Sequence, residues 1–382
     1  VLDIGVCPTP TVQLSVERRG AKGGIAITAS HNTAEWNALK LVSSDGTFLR
    51  RHEVDQVVAK ARSGEFDYAG HDAAAAVEHD TRAGGEHVVD VLGLDYVDQA
   101  SIRAQAFKVA LDCTNGAGST VAPEMLKELG CEVYCLDCEP TGVFRRNPEP
   151  TGANIGDLCR LVKDRGADIG FALDPDADRL AIVDETGEPV GEDYTLVICA
   201  DLVLGKTPGP LVTNLSTTMA VDEVARRHGV DLHRTPIGEI NVVTKMKEVG
   251  SSVGGEGNGG VILPALHYGR DSLVGMALAL QSLAEAGVPL SRLMKKFPRY
   301  AIFKEKLRLE SEPDTDSLRT MMEGEFAGGR FNLDDGVRVE LKGSWLHVRR
   351  SGTEPVVRLI SEAPTREEAE RLVSRAARLL GK

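Results

Sequence analysis

The stretch DIGFALDPDADRLAIVD, residues 168 to 184, reads as strand, acidic turn, strand. Ile169 to Leu173 and Leu180 to Val183 are short apolar runs that read as two strands. Between them Asp174, Asp176 and Asp178 stand at alternate positions. Carboxylates so spaced repel one another unless a cation gathers them, and hard oxygen ligands in that number suit Mg²⁺ or Ca²⁺. An EF-hand loop is the rival, since the three aspartates match its first, third and fifth positions and Glu185 its twelfth. Two features oppose it: Arg179 occupies the position where that loop needs glycine, and the flanks are strands, not helices. A turn between strands at a sheet edge is where open α/β folds build their sites.

The neighbouring sequence extends the α/β reading. Upstream, Phe107 to Asp112 is a strand, followed by the turn CTNGAG (113–118) and a helix through Leu129. That turn lacks the Lys-Ser/Thr of a P-loop and the spacing of G-x-G-x-x-G, so it reads as tight strand-to-helix packing. Glu139 to Asn154 reads as a long surface loop without a motif. Downstream, strands at Leu211 to Asn214 and Asp231 to Thr235 alternate with helices at Thr218 to His228 and Glu239 to Val249. Next come the loop GGEGNGG (254–260) and a helix through Ala286. Among its glycines, Glu256 and Asn258 carry the loop's specific chemistry, an acceptor and an amide suited to sugar hydroxyls.

Near the N-terminus, GIAITASHNTAEWNALK (24–40) delivers Ser30 and His31 into a polar loop from a run, Ile25 to Thr28, that reads as a buried strand. A serine hydroxyl needs a base or a metal to become a useful nucleophile, and His31, Asn32 and Lys40 are close enough in sequence to converge on it. Leu39 to Leu49 then reads as a hairpin about Asp45-Gly46, Val54 to Ala61 as a helix, Gly70 to Glu86 as a mobile connection and Val88 to Val97 as a helix. From Phe297 onward four strands and a closing helix, opened by the capping box at Thr365, form an α+β part. Its turn RRSGTEP (349–355) joins arginine, two hydroxyls and a glycine, the elements of a phosphate clamp.

The chain has 382 residues, a formal charge of −13, 42% hydrophobic and 4% aromatic residues. Length predicts several domains. The acidic balance and scarce aromatics argue against nucleic acid and against an anionic membrane as partners. Seven cysteines, no signal peptide and no apolar run of membrane-spanning length point to a reducing cytoplasm. Cys135 and Cys138 form a CxxC after Cys131, but no second pair or histidine follows at ligand spacing, so buried thiols are expected.

TASHN, DPDADR, GEGNGG and RRSGTEP, in that order and spanning nearly the whole chain, closely resemble the motifs of the α-D-phosphohexomutase family, which includes phosphoglucomutase, phosphomannomutase and phosphoglucosamine mutase. The resemblance implies an α/β fold of three similar domains with mixed sheets and a smaller C-terminal α+β domain around one cleft. The expected boundaries are 1–96 for the serine loop, 97–201 for the metal loop, 202–296 for the sugar loop and 297–382 for the phosphate loop. By the same resemblance Ser30 is the phosphoserine and a metal ligand beside Asp174, Asp176 and Asp178, which hold Mg²⁺. By the resemblance His31 and Lys40 form the acid/base neighbourhood, and Arg179 matches the family's arginine after the metal loop. Glu256 and Asn258 contact the sugar, and Arg350, Ser351, Gly352 and Thr353 clamp its second phosphate. The implied activity interconverts hexose 1- and 6-phosphates of glucose, mannose or glucosamine, with a hexose 1,6-bisphosphate as activator and intermediate and sugar phosphates as the small-molecule partners. A metal-dependent sugar-phosphate hydrolase would share the serine and aspartates but has no need of a second phosphate clamp. A catalytically inactive sugar-phosphate-binding or Ca²⁺-binding module is the non-enzyme alternative.

Two departures from the family pattern stand out. Many bacterial members carry histidine where this chain has Gly260, so an acid/base group would have to come from elsewhere. The family's opening strand and an arginine-bearing turn have no counterpart before Val1, which leads us to expect a missing βαβ-sized piece, exposed apolar strand surface in residues 1 to about 96, and weak turnover.

Overall fold

A computed structural model describes residues 1–68, 70, 75–308, 314–350 and 356–381. The apolar runs flanking the acidic turn form strands Ile169–Leu173 and Leu180–Asp184, paired antiparallel with Leu173 opposite Leu180. Helix Gly156–Arg165 packs on one face, where Leu158 and Val162 meet Ala110, Ala172 and Val183. Met125 and Leu126 cover the other, against Leu111, Phe171 and Leu173. Coverage of both faces is why these strands read as continuous apolar runs and not as alternating ones. The EF-hand is thereby excluded, and Glu185 instead accepts a hydrogen bond from the Ser291 backbone at 3.0 Å.

The sheet runs in the order Glu132–Leu136, Lys108–Asp112, Ile169–Leu173, Leu180–Asp184, the first three parallel and the last antiparallel. A second sheet repeats that order and those directions with Leu232–Thr235, Leu211–Asn214, Val253–Glu256 and Gly260–Ile262. The first unit is sparser: Gly23–Ile27 pairs antiparallel with Leu39–Ser43, and Leu2–Asp3 pairs in parallel with Glu78–His79. A five-stranded antiparallel sheet, in the order Ala301–Leu307, Val357–Ala363, Ser344–Arg350, Val337–Leu341, Arg330–Asn332, carries helices Thr315–Glu325 and Arg366–Leu379. Three α/β units and one α+β unit therefore make up the chain.

One helix-strand-loop-strand-helix pattern recurs in all three α/β units. It comprises Thr9–Arg18, Gly23–Ile27, Leu39–Ser43 and Arg51–Ser63, then Gly156–Arg165, Ile169–Leu173, Leu180–Asp184 and Asp193–Lys206, then Glu239–Val249, Val253–Glu256, Gly260–Ile262 and Ser272–Ala286. The loop between the two strands holds Ser30 in the first copy, the aspartates in the second and Asn258 in the third. Because the three loops differ in length and chemistry, the repeat is invisible to inspection of the sequence.

Several expectations change. The boundary placed at 201/202 falls inside helix Asp193–Lys206, which packs against helices Ala220–His228 and Ser272–Ala286. Ile25 and Ile27 are 57% and 72% exposed, and only Ala26 of that strand is buried, because a two-stranded sheet has too few neighbours to cover both faces. Helix Arg51–Ser63 forms as expected but buries no residue. The helix expected from Val88 to Val97 runs Ala83–Leu92, and the connection before it contains the short strand Glu78–His79. Cys131 is buried and Cys138 half-buried, but Cys135 points out from its strand and is exposed. Among the described residues no single helix is long and apolar enough to cross a membrane.

The CTNGAG turn does pack tightly, and against a specific partner. Thr114 and Asn115 adopt positive φ, and the Ala117 N–H donates to Pro175 O at 2.7 Å, so the turn seats the acidic loop from behind. A Cβ on Gly116 would lie 2.4 Å from that same oxygen. Gly116→Ala should therefore displace Pro175 and lower the urea midpoint by the equivalent of about 1–3 kcal/mol with an unchanged m-value. An unchanged midpoint would show that the loop yields freely.

Candidate active site

The aspartates owe their positions to the loop that carries them. Ala177 takes φ 54°, which folds the loop back so that the Asp178 and Arg179 N–H groups each donate to Asp174 Oδ1 at 3.1 Å. Asp174, Asp176 and Asp178 are all buried, and each offers an oxygen within 4.8 Å of the others. Residues from other units converge on them. Ser30, at φ 51°, donates its hydroxyl to Asp174 Oδ2 at 3.1 Å and lies 3.3 Å from His31 Nδ1. Lys40 Nζ meets Asp176 at 2.6 Å and Asp178 at 2.8 Å. Thr9 anchors the loop twice, its N–H to Asp176 O and its hydroxyl to Asp176 Oδ2. Arg179 lies 3.9 Å from Asp174 and 3.7 Å from Asp178.

The third unit supplies Arg270, which sequence reasoning missed. Its buried guanidinium pairs with Asp178 at 2.7 Å, Glu239 at 2.8 Å and Glu256 at 2.8 Å. Five buried carboxylates thus face three cations, Lys40, Arg179 and Arg270. If all are ionised, the excess is the charge a divalent cation neutralises. Asp176 Oδ1 and Asp178 Oδ1 are buried without a hydrogen-bond donor, so the donor set fits a hard cation held by these three aspartates.

The electrostatics follow from this packing. Burial, reinforced by Asp178 and Asp176, raises the Asp174 pKa well above the carboxylate range. Burial acts the same way on Asp178, but Arg270, Lys40 and Arg179 prevail and hold it low. Lys40 is raised despite its burial, by Asp178 and Asp176, and stays charged. Burial and then Arg179 push His31 down to about 4, so its ring is neutral at pH 7.

The glycine-rich loop 254–260 lies beside the acidic loop, with the Leu180 N–H donating to Gly259 O at 3.0 Å. Glu256 is not the open side chain that the glycine-rich sequence suggests. It is buried, and it accepts from Asn214 at 2.9 Å, the Gly238 N–H at 3.1 Å and Arg270, with Asn258 farther off at 3.4 Å. Beneath the loop, Asp193 accepts from the Thr218 N–H at 2.8 Å, and a Cβ on Gly257 would strike its Oδ1 at 2.2 Å. The Glu139 to Asn154 loop, read as featureless, is pinned by Arg146 to Asp112 at 2.6 Å and to Leu173 O at 2.8 Å. Arg350 ends strand Ser344–Arg350 and is exposed, whereas Arg349 pairs with Asp335 at 3.0 Å. Ser351, Gly352 and Thr353 lie outside the described residues. Arg270 had one legible signal, a charged Arg-Asp pair just ahead of the apolar helix that Asp271 caps.

Family models for the phosphoglucomutase/phosphomannomutase alpha/beta/alpha domains I, II and III match residues 1–68, 86–187 and 191–300, and that for the C-terminal domain matches 325–379. A probable phosphoglucosamine mutase of Methanopyrus kandleri is 36% identical over 97% of this chain and 82% of its own length. A phosphoglucomutase/phosphomannomutase of Thermococcus kodakarensis is 34% identical over 100% and 83%. Among solved structures, a phosphoglucomutase/phosphomannomutase family protein of Burkholderia thailandensis superposes with TM-score 0.86 at 26% identity, covering 100% of this chain and 82% of that one. The N-acetylphosphoglucosamine mutase of Aspergillus fumigatus, solved with GlcNAc-6P and magnesium, shares the fold at TM-score 0.62 and 17% identity, covering 97% and 92%.

Asp193 provides a test of the packing under the glycine-rich loop. Burial, only partly offset by Lys304, pushes its carboxyl up to about 7. The folded chain keeps a proton there that the unfolded chain releases near pH 4, so the group's contribution to stability is full below that pH and is lost as pH rises to about 7. Asp193→Asn should flatten this part of the curve. Between pH 4 and pH 7 wild type should lose on the order of 2–4 kcal/mol more than the variant in urea unfolding. Parallel curves would place the carboxyl in a more solvated setting.

Proposed function

The chain belongs to the phosphoglucomutase/phosphomannomutase family and is accordingly a mutase of the isomerase class; on that premise we propose that it moves a phosphoryl group between the 1- and 6-hydroxyls of a hexose phosphate through phosphorylated Ser30 and a bisphosphate intermediate. The observation that carries the proposal is the Ser30 hydroxyl, brought from another unit to 3.1 Å from Asp174 in the one cluster of acidic ligands found among the described residues. Glucose, mannose and glucosamine phosphates are the candidate substrates, in keeping with the names of the relatives. The seven free cysteines accord with a reducing, cytoplasmic setting.

Asp174, Asp176, Asp178 and the Ser30 oxygen would hold Mg²⁺, which when bound polarises the phosphoryl group. Phosphorylation of Ser30 adds a charge of about −1.5 to −2 to an already acidic cluster. Lys40 and Arg179 face that charge, and Lys40, fixed by two carboxylates, serves as a cation and not as a base. In transfer, the bond from phosphorus to the sugar oxygen forms as the bond to Ser30 Oγ breaks, and the sugar hydroxyl gives up its proton. His31, neutral and beside Ser30, is placed to pass that proton to Ser30 Oγ as it leaves and to take it back in the reverse step. Asn258 addresses the sugar hydroxyls, from a loop that buried Glu256 anchors through Asn214, the Gly238 N–H and Arg270. Arg350, with Ser351, Gly352 and Thr353, grips the second phosphate in either orientation of the sugar.

Assays of 1-to-6 interconversion on the three sugar phosphates, with the bisphosphate as activator, test the proposal. Intact mass of active protein should show one phosphate, and Ser30→Ala should lose it together with at least about 10³-fold in turnover. Release of inorganic phosphate without isomerisation would select the hydrolase instead. Asp176→Asn should lower kcat at least about tenfold more than it raises KM, while Arg350→Ala should chiefly raise KM, because the clamp contacts ground and transition states alike. Matching kinetic profiles for the two variants would refute that division of labour.

A further inference from the structure

Arg270 and Gly260 form a pair whose geometry goes beyond the family motifs. The strand Gly260–Ile262 leaves the sugar loop, and Ile262 bridges back to Arg270. The Arg270 side chain crosses directly over Gly260: a Cβ there would lie 2.2 Å from Arg270 Cδ and 2.8 Å from Cγ. Gly260 does not have positive φ, so its backbone would accept any L-residue, and the space for Arg270 is what requires glycine.

The arginine is held from both ends. Asp271 caps helix Ser272–Ala286 with Oδ1 and meets His87 and His267 with Oδ2 at 2.8 Å and 3.1 Å, which fixes the backbone next to Arg270. At its other end the planar guanidinium joins Asp178 of the metal loop to Glu256 of the sugar loop, with Glu239 at the start of the preceding helix as a third tie. A planar fork with several fixed donors holds carboxylates at set angles, whereas a lysine ammonium acts as a single rotatable point charge.

We propose that Arg270 is a positioning residue that sets Asp178 and Glu256 in register with each other, so that the metal and sugar positions are built as one piece, and that Gly260 exists to let it cross. The proposal rests on reading this cleft as the phosphohexomutase site. Arg270 acts through the two carboxylates and takes no part in bond making.

Gly260→Ala and Arg270→Lys both preserve the charge of the cleft, so long-range electrostatics cannot mask the loss of orientation. Each should leave the circular dichroism spectrum unchanged, weaken Mg²⁺ binding measured by calorimetry at least about fivefold, and lower kcat at least about tenfold. Because both act through one side chain, the double variant should resemble Arg270→Lys alone and not show the product of the two losses. Mg²⁺ affinity within twofold of wild type in both folded variants, or multiplicative losses in the double variant, would overturn the proposal. If Arg270→Lys does not fold, Mg²⁺ binding by Gly260→Ala decides the question. Calorimetry needs no turnover: a wild type without mutase activity but with these affinity changes would count against the assigned reaction and for the role of Arg270.

Discussion

Five carboxylates buried in one place constrain everything around them. An unpaired buried carboxylate is strongly disfavoured, and the remedy is paired charge with well-placed hydrogen bonds. Here each compensating cation comes from a different α/β unit, Lys40 from the first, Arg179 from the second and Arg270 from the third. The charge balance is therefore a property of the assembled chain. Neither the second unit, with three aspartates and Arg179, nor the third, with Glu239, Glu256 and Arg270, balances its own buried carboxylates, which gives the units an electrostatic reason to close around a common point.

The repeated hairpin explains how three units can reach that point. Each presents the loop between its two central strands at the same place in its local architecture, and the copies differ in what the loop carries. Short backbone contacts lock neighbouring loops together: Ala117 to Pro175, Leu180 to Gly259, Thr9 to Asp176. Main-chain atoms serve well here because they cannot change rotamer. Gly116 and Gly259 are glycines because a neighbouring carbonyl oxygen stands where their Cβ would be.

What could be read in advance was local chemistry. The alternating aspartates and the serine loop announce themselves because unlike residues are forced into short spacings, and the buried strands Ile169–Leu173 and Leu180–Asp184 because their apolar runs are continuous. Arg270 could not be assigned a partner, since its three carboxylates lie 14, 31 and 92 positions away. Glu256 misled for the opposite reason: five nearby glycines suggest freedom, yet those glycines permit the close packing that buries it. Ile25 and Ile27 carry a strand-like pattern, but exposure depends on how many strands flank them, which sequence pattern does not report. The expected phosphate clamp is legible only as sequence, because residues 351–355 lie outside the described set.

The serine loop belongs to the unit with the least interior. Its sheet has two strands, Ile25, Ile27 and Leu39 are exposed, and the helix that follows buries nothing. Native proteins open in pieces, and a piece with few buried contacts opens at a fraction of the global unfolding free energy. The unit bearing Ser30 has the fewest buried contacts to resist such opening, so its order depends most on what binds beside the aspartates. Any ligand that ties Ser30 and Lys40 to the aspartates adds its binding free energy to the stability of that unit. In such a protein occupancy and local order are one equilibrium, and the Ser30 loop is held most firmly when something is bound beside it.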